Sequence, residues 1–374
     1  MKIDQFIVEQ KSLVGILTAM QPICSKRTTL DTTANILFQV SHKELILKST
    51  DLEVSLQYNC DVQEIQISDT RSFLVNGKKI FELTKELDGL IQIQINSSNI
   101  IINCGGVHLS LNIKSAQEFP PFPERIENLM LLKATDLMGM FEKVAFLIPQ
   151  NNSNQALNGL LIEANSEQLK FTTTDGHCLA QVTSQQYQLA VAQTWLLPRR
   201  AVFELKKIVE SGSDDQVFIG ICDNQLVFSS STFNFFSKLL VDAFPAYQSI
   251  MSHNGFYKAA VRKDQFVKTL RRSACLLSGQ FIATEFNFND KQLSIMMQNK
   301  DVGSLEENIE LDDFTGSKLD IRFYAPYLIN GLQIFTGEQV QFYLNSKSQP
   351  MIFEADQDQL HFTYLAMPVS QARE

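Results

Sequence analysis

The chain has 374 residues, 44% hydrophobic and 20% charged, with a net charge of −9. That length accommodates two or three domains with cores of their own. The acidic balance argues against tight, direct DNA binding, where released counterions supply much of the affinity, but not against a basic stripe on one surface with acids elsewhere. No apolar run approaches a membrane span, and the segment Met1–Gln10 carries Asp4 and Glu9 where a signal peptide has an apolar core. The cysteines (Cys24, Cys60, Cys104, Cys178, Cys222, Cys275) are scattered without a CxxC pair, which fits free thiols in a reducing cytosol.

In chain order, QFIVEQKSLVGILTAMQPI reads as a strand and an amphipathic helix. A strand pair reaching Thr50-Asp51 follows, then a strand–turn–helix over SFLVNGKKIFELTKEL. Closing strands come next: Ile93 and Ile95 alternate with Gln92 and Gln94, and Asn96-Ser97-Ser98-Asn99 makes the turn. The same order then returns. MLLKATDLMGMFEKVAFLI has Thr135 or Asp136 as N-cap and Leu137, Met140, Phe141 and Val144 at helical spacing. A strand pair reaches Thr174-Asp175, TWLLPRRAVFELKKIV places Pro198 just before its helix, and closing strands turn at Asp223-Asn224.

A third round begins with YKAAVRKDQFVKTLRRSACLL, where Asp264 caps and Phe266, Val267, Leu270 and Ala274 form the apolar stripe. Its strand pair reaches Lys300-Asp301, and DIRFYAPYLINGLQIF sets Pro326 before a helix without charge. The strand pairs recur about 124 residues apart, which is a domain repeat and not a solenoid of small units. Each third reads as two helices and about eight strands in α+β order. Boundaries near Pro120–Asn128 and Ser249–Gly255 give domains 1–125, 129–250 and 254–374. Such a chain suggests a rigid, symmetric body more than a single catalytic cleft.

With that order in view, the chain resembles the bacterial DNA polymerase III beta subunit, the sliding-clamp family. The resemblance runs from Met1 to about Val369. It is carried by Thr50-Asp51-Leu52-Glu53, Thr174-Asp175-Gly176-His177, Leu197-Pro198-Arg199-Arg200, Ser237-Lys238-Leu239-Leu240 with Phe244-Pro245-Ala246-Tyr247, and Tyr364-Leu365-Ala366-Met367-Pro368. It implies three clamp domains per chain and a head-to-tail homodimer closed into a ring. Helices would line the hole and antiparallel sheets form the outer wall. The ring would encircle duplex DNA without reading sequence, tether the replicative polymerase for processivity, and work in the bacterial cytoplasm at the nucleoid. Partners would be the DNA polymerase III alpha subunit, an ATP-driven clamp loader, and other polymerases and repair proteins carrying clamp-binding peptides. No cofactor, metal or catalytic residue is implied.

Carried over position by position, the resemblance implies a partner-peptide pocket of Leu157, Thr174, Gly176, His177, Leu179, Pro245, Ile250, Phe281, Leu365, Met367 and Pro368. A few Leu or Phe anchors in such an apolar pocket dominate binding, and Met suits a site shared by several partners. Taken alone, Leu157 and Leu179 read as core. Implied DNA-facing residues are Arg27, Lys78, Lys79, Arg199, Arg200, Lys263, Lys268, Arg271 and Arg272, which also read as ordinary solvated helix faces. The implied dimer interface sets Leu109 and Leu111 against Leu276 and Leu277.

The chain departs from the family at Cys178 and Ser249, where basic residues are common, and at Asp31, where proline is usual. Peptides that rely on a guanidinium in the pocket are therefore expected to bind more weakly. The departures also support an alternative, a diverged clamp-fold scaffold that does not encircle DNA. An enzyme reading rests on the row Asp175-Gly176-His177-Cys178, but neighbours in a turn point different ways. Gly77-Lys78-Lys79 lacks the rest of a phosphate-binding loop, and no metal-ligand spacing is present. The role of the tail Ser370–Glu374 is left open.

Overall fold

A computed structural model describes residues 4–369, apart from 279–281, 313, 315 and 358. Phe281 and the tail Ser370–Glu374 lie outside the described residues. The helices are α1 (Gln10–Cys24), α2 (Gly77–Lys85), α3 (Ala134–Val144), α4 (Arg199–Ser211), a single turn α5 (Gln248–Met251), α6 (Lys263–Ala274) and α7 (Ala325–Leu332). The α+β repeat is present. Among the described residues, the first third has two strands more than the others, the short Glu64–Gln66 and Lys114–Ser115.

The expected N-caps are displaced by one feature common to all three thirds. Strand Gln5–Glu9 runs straight into α1, Glu127–Lys133 into α3 and Tyr257–Arg262 into α6. Thus α3 starts at Ala134, with Thr135 and Asp136 inside its first turn. α6 starts at Lys263 with Arg262 as its cap residue, and Asp264 lies in its first turn. A loop carbonyl does the work that a capping side chain would do. The first amide of each helix donates to it: Gln10 to Gly89 (2.9 Å), Ala134 to Asp215 (2.8 Å) and Lys263 to Glu338 (2.8 Å). Asp136 and Asp264 still sit favourably at the positive ends of their helices. The stripe Leu137, Met140, Phe141 and Val144 of α3 is fully buried, as are Phe266 and Leu270 of α6.

The chain forms two compact units. One comprises residues up to 138 with 200–239, the other 139–199 with residues from 240 onward. The first holds a five-stranded and a nine-stranded sheet, the second an eight-stranded and a four-stranded sheet, all with antiparallel pairing. Within the nine-stranded sheet, strand Val54–Cys60 of the first third pairs with Phe233–Lys238 of the second, Val54 opposite Ser237 and Tyr58 opposite Phe233. Within the eight-stranded sheet, Cys178–Ser184 pairs with Leu360–Ala366, Cys178 opposite Ala366 and Ser184 opposite Leu360. Successive thirds are therefore joined by uninterrupted main-chain ladders.

Helix α7 lies unusually close to strand Leu360–Ala366. A Cβ at Gly331 would come within 2.1 Å of the Tyr364 ring, so only glycine fits. The Tyr364 hydroxyl donates to the Tyr327 carbonyl at 2.6 Å.

In the first unit, the buried Asp4 carboxylate accepts from the Ser68 amide and hydroxyl (both 2.9 Å) and from Arg71 Nε (2.7 Å). The Ser68 amide above all, helped by Arg71 and the Ser68 hydroxyl, outweighs burial and holds this carboxyl below the usual range. A depressed folded-state pKa stabilises above the unfolded value of about 3.9, and that contribution is lost as pH falls through the folded value. Asp4→Asn is expected to flatten the acid limb of the stability curve, read as urea midpoints below about pH 5.

Candidate functional site

The Thr-Asp words are hairpin corners. Thr50 Oγ1 accepts from the Leu52 amide (3.1 Å) and donates to the Val54 carbonyl (3.2 Å), while Asp51 Oδ1 accepts from the amides of Glu53 (3.0 Å) and Val54 (2.9 Å). The second corner repeats this atom for atom. Thr174 Oγ1 accepts from Gly176 (3.1 Å) and donates to Cys178 (2.5 Å), and Asp175 Oδ1 accepts from His177 (2.8 Å) and Cys178 (2.7 Å). The third residue of each corner has positive φ, +76° at Leu52 and +93° at Gly176. Glycine adopts that conformation without strain.

The two corners differ in what faces them. In the first unit Asp51, whose side chain has no exposure, pairs with Arg200, and Lys26 stands 3.7 Å away. Arg200 also donates to the Pro22 carbonyl at 2.9 Å. In the second unit, among the described residues, no cation bridges Asp175. An aromatic ring stands by this corner instead: Tyr327 stacks on His177 with centroids 5.4 Å apart. Burial first, then the Asp175 carboxylate, pushes the Tyr327 phenol up to about 12, so it stays neutral.

The second corner opens on apolar side chains. Leu179 pairs with Leu365 across the strands, and the Met367 amide extends the ladder by donating to the His177 carbonyl at 2.9 Å. Leu179, Leu365, Ala156, Leu161, Leu196, Tyr247 and Ile352 form one buried cluster, with Met367, Phe244 and Met251 partly buried against it. Leu157 is buried, with its Cδ1 3.8 Å from where a Cβ at Gly176 would lie. Pro245 is exposed and Ile250 is 37% exposed, both on the connection that leads to the third repeat. A cleft of about 440 Å³ beside them is lined by Leu161, Glu163, Leu196, Leu240, Phe244 and Pro245. Thr174, Gly176, His177, Leu179, Leu157, Leu365 and Met367 thus come together, with Pro368 continuing from Met367.

Tyr327, Leu161 and Leu196 were not expected here. In sequence, PYLINGLQIF is distinguished only by its lack of charge, and the two leucines look like any strand core. Of the departing positions, Ser249 is exposed, but Cys178 is buried in its strand (1% exposed). Burial, then the Asp175 carboxylate, raises its thiol, so no nucleophilic thiolate sits in the Asp-Gly-His-Cys row. The described residues hold no group of three or more His, Cys, Asp or Glu placed to bind a metal.

The cations divide by task. Arg27, Lys268 and Arg271 are exposed. Lys78 and Lys79 are exposed and share Glu82 (3.7 and 3.3 Å). Arg272 grips Glu307 with one nitrogen, 2.7 and 2.8 Å from its two oxygens. Arg199 Nε donates to the Ile148 carbonyl at 3.1 Å, and Arg200 is held in the Asp51 clasp. Lys263 Nζ donates to the Phe335 carbonyl (2.5 Å) and Lys143 Nζ to that of Ile334 (3.0 Å). Two ammonium groups thus satisfy carbonyls just beyond the C-terminus of the uncharged α7, where cations are favoured. Arg200 and Lys263 thus each have a partner within the fold.

Leu109 and Leu111 are half-buried on strand Val107–Asn112, at one edge of the five-stranded sheet. Leu276 and Leu277 are half-buried in the turn after α6, where the Leu276 carbonyl accepts from Asn299 at 2.6 Å.

Three family models match along the chain: DNA polymerase III beta subunit, N-terminal domain (4–123), central domain (131–246) and C-terminal domain (248–370). The beta sliding clamp of Pseudomonas aeruginosa is 26% identical over 97% of this chain and 99% of its own length. The crystal structure of the DNA polymerase III subunit beta from that organism matches with a TM-score of 0.88 at 24% identity, covering 98% of this chain and 100% of the other. A P. aeruginosa sliding clamp bound to griselimycin matches at 0.87 and 23% identity, covering 99% of this chain and 100% of its own.

Removing Arg200 leaves the buried Asp51 carboxylate with only the more distant Lys26 as a cation, which costs up to about 3 kcal/mol. Arg200→Ala is therefore expected to lower the melting temperature by several degrees, whereas Arg271→Ala leaves it unchanged; calorimetry on the two variants checks this.

Proposed function

The chain belongs to the DNA polymerase III beta-subunit family, and we propose that it is a sliding clamp, a homodimeric ring that encircles duplex DNA and tethers the replicative polymerase. The observation that carries this reading is the run of three family domains, in order, along one chain. The ring holds DNA by topology, so it needs little affinity and must slide. A net charge of −9 suits that task. No base readout is called for. The exposed Arg27, Lys78, Lys79, Lys268 and Arg271 supply weak contacts to phosphates. The protein is a processivity factor without catalysis of its own, and its place is the cytoplasm at the nucleoid. No helix of the described residues is long and apolar enough to cross a membrane.

Partner proteins, among them the polymerase alpha subunit, the clamp loader and repair proteins, bind in the apolar site at the Thr174–Cys178 corner. Their peptides lay Leu or Phe anchors against Leu179, Leu365 and Met367. His177 and the stacked Tyr327 form one wall, Pro245 and Ile250 another. The site's own elements favour this: an exposed glycine corner, an apolar floor and an adaptable methionine.

Dimer closure joins strand Val107–Asn112 of one chain to strand Gly303–Glu310 of its partner. Each is an edge strand of its sheet, and Leu109, Leu111, Leu276 and Leu277 provide the apolar contact. Leu276→Ala combined with Leu277→Ala is expected to give folded monomers, with circular dichroism unchanged and a halved mass by light scattering; an intact dimer at nanomolar concentration would refute the assignment.

Retention on DNA tests the main reading. After loading by a cognate loader, the protein is expected to persist on nicked circles in high salt and to run off linear DNA with free ends. Equal, salt-sensitive loss from both would favour a clamp-fold scaffold that does not encircle DNA.

A further inference from the structure

The floor of the pocket belongs to the sheet, but one wall does not. Pro245 and Ile250 lie on the connection between Leu240, whose amide donates to the Leu196 carbonyl at 2.9 Å, and Tyr257, which begins the next strand. The backbone hydrogen bonds shown between these points are local, Ile250 to Tyr247 (3.1 Å) and Phe256 to His253 (3.0 Å). Main-chain pairing therefore does not place this wall.

A side chain does. Tyr247 stands between Pro245 and Ile250 in sequence and is only 4% exposed. Its ring packs in the cluster with Leu161, Leu179, Leu196 and Leu365. Its hydroxyl donates to Glu163 Oε2 at 2.5 Å, on the sheet strand Gly159–Ala164. Burial, and then the bond to Glu163, pushes the phenol above its ordinary range, so it remains a donor at neutral pH. A second tether, His253 stacked on Tyr343 with centroids 4.4 Å apart, fixes the connection beyond Ile250. Leu179 and Leu365 belong both to the packing around Tyr247 and to the pocket floor, so one ring ties wall to floor.

We propose that Tyr247, anchored by Glu163, is a positioning residue that sets the Pro245–Ile250 wall against the Leu179–Leu365 floor and thereby tunes affinity for partner peptides. The proposal rests on the pocket reading above. A charge-assisted hydrogen bond is among the stronger ones available to hold a connection lacking ladder bonds, and misplacing an anchor wall raises the dissociation rate more than it slows association.

The test is binding of griselimycin, and of a labelled pentapeptide carrying Leu and Phe, to the full-length dimer. Tyr247→Phe keeps the ring and is expected to weaken binding roughly three- to tenfold, mainly through faster dissociation. Glu163→Leu should do the same, while Glu163→Gln, which keeps an acceptor oxygen, should restore near-native affinity. Ile250→Ala and Met367→Ala serve as controls on the pocket itself. If these controls weaken binding and Tyr247→Phe does not, the positioning role is overturned and the pocket stands. If the controls bind as the wild type does, the pocket reading fails first. A loss confined to melting temperature in Tyr247→Phe, with binding of the folded dimer unchanged, also overturns the proposal.

Discussion

A carboxylate folded back onto the two amides ahead of it governs both of the hairpin corners that matter here. A tight corner turns its N–H groups away from the strand ladder, and they need partners of their own. Asp51 and Asp175 solve that problem identically, each aided by the threonine before it. The strands leaving these corners, Val54–Cys60 and Cys178–Ser184, make the ladders that join one third to the next. What differs is the second carboxylate oxygen. At Asp51 a guanidinium stoppers the corner, whereas at Asp175 the neighbouring ring leaves an apolar opening. One local design thus yields a closed joint in one place and a receptive one in the other.

Much of this was legible in the sequence, for local reasons. Alternation in Gln92–Ile95, helical spacing in Leu137–Val144 and the Thr-Asp words are short-range signals. The helix starts were less legible, because Asp136 and Asp264 look like caps until the strand is seen to run straight into the helix. Arg200 and Lys263 show the limit more plainly. In sequence a cation on a helix is only a cation. Its assignment to Asp51 or to the Phe335 carbonyl depends on partners 149 and 72 residues away. Tyr327 was invisible for the same reason, since its stacking partner His177 lies in another third.

The division of cations bears on how such a protein can be acidic and still work on DNA. Several basic side chains are spent on internal tasks: the Asp51 clasp, the α7 terminus and the Glu307 grip. Others stay exposed at the surface, Arg27, Lys78, Lys79, Lys268 and Arg271 among them. Acids outnumber basic residues, for a net charge of −9, a balance that works against holding DNA by affinity alone but costs little where enclosure does the holding.

The unbroken ladders have a mechanical corollary. A β-ladder loaded along its strands resists in shear, with many hydrogen bonds bearing force together, so neither joint between successive thirds behaves as a hinge in the plane of the sheet. Resistance is lower at edge strands, Val107–Asn112 and Gly303–Glu310 among them, which are laddered on one side only within the chain. There separation can proceed as peeling, one bond at a time. Force on the chain is thereby met first at sheet edges, while the ladders that join successive thirds stay intact.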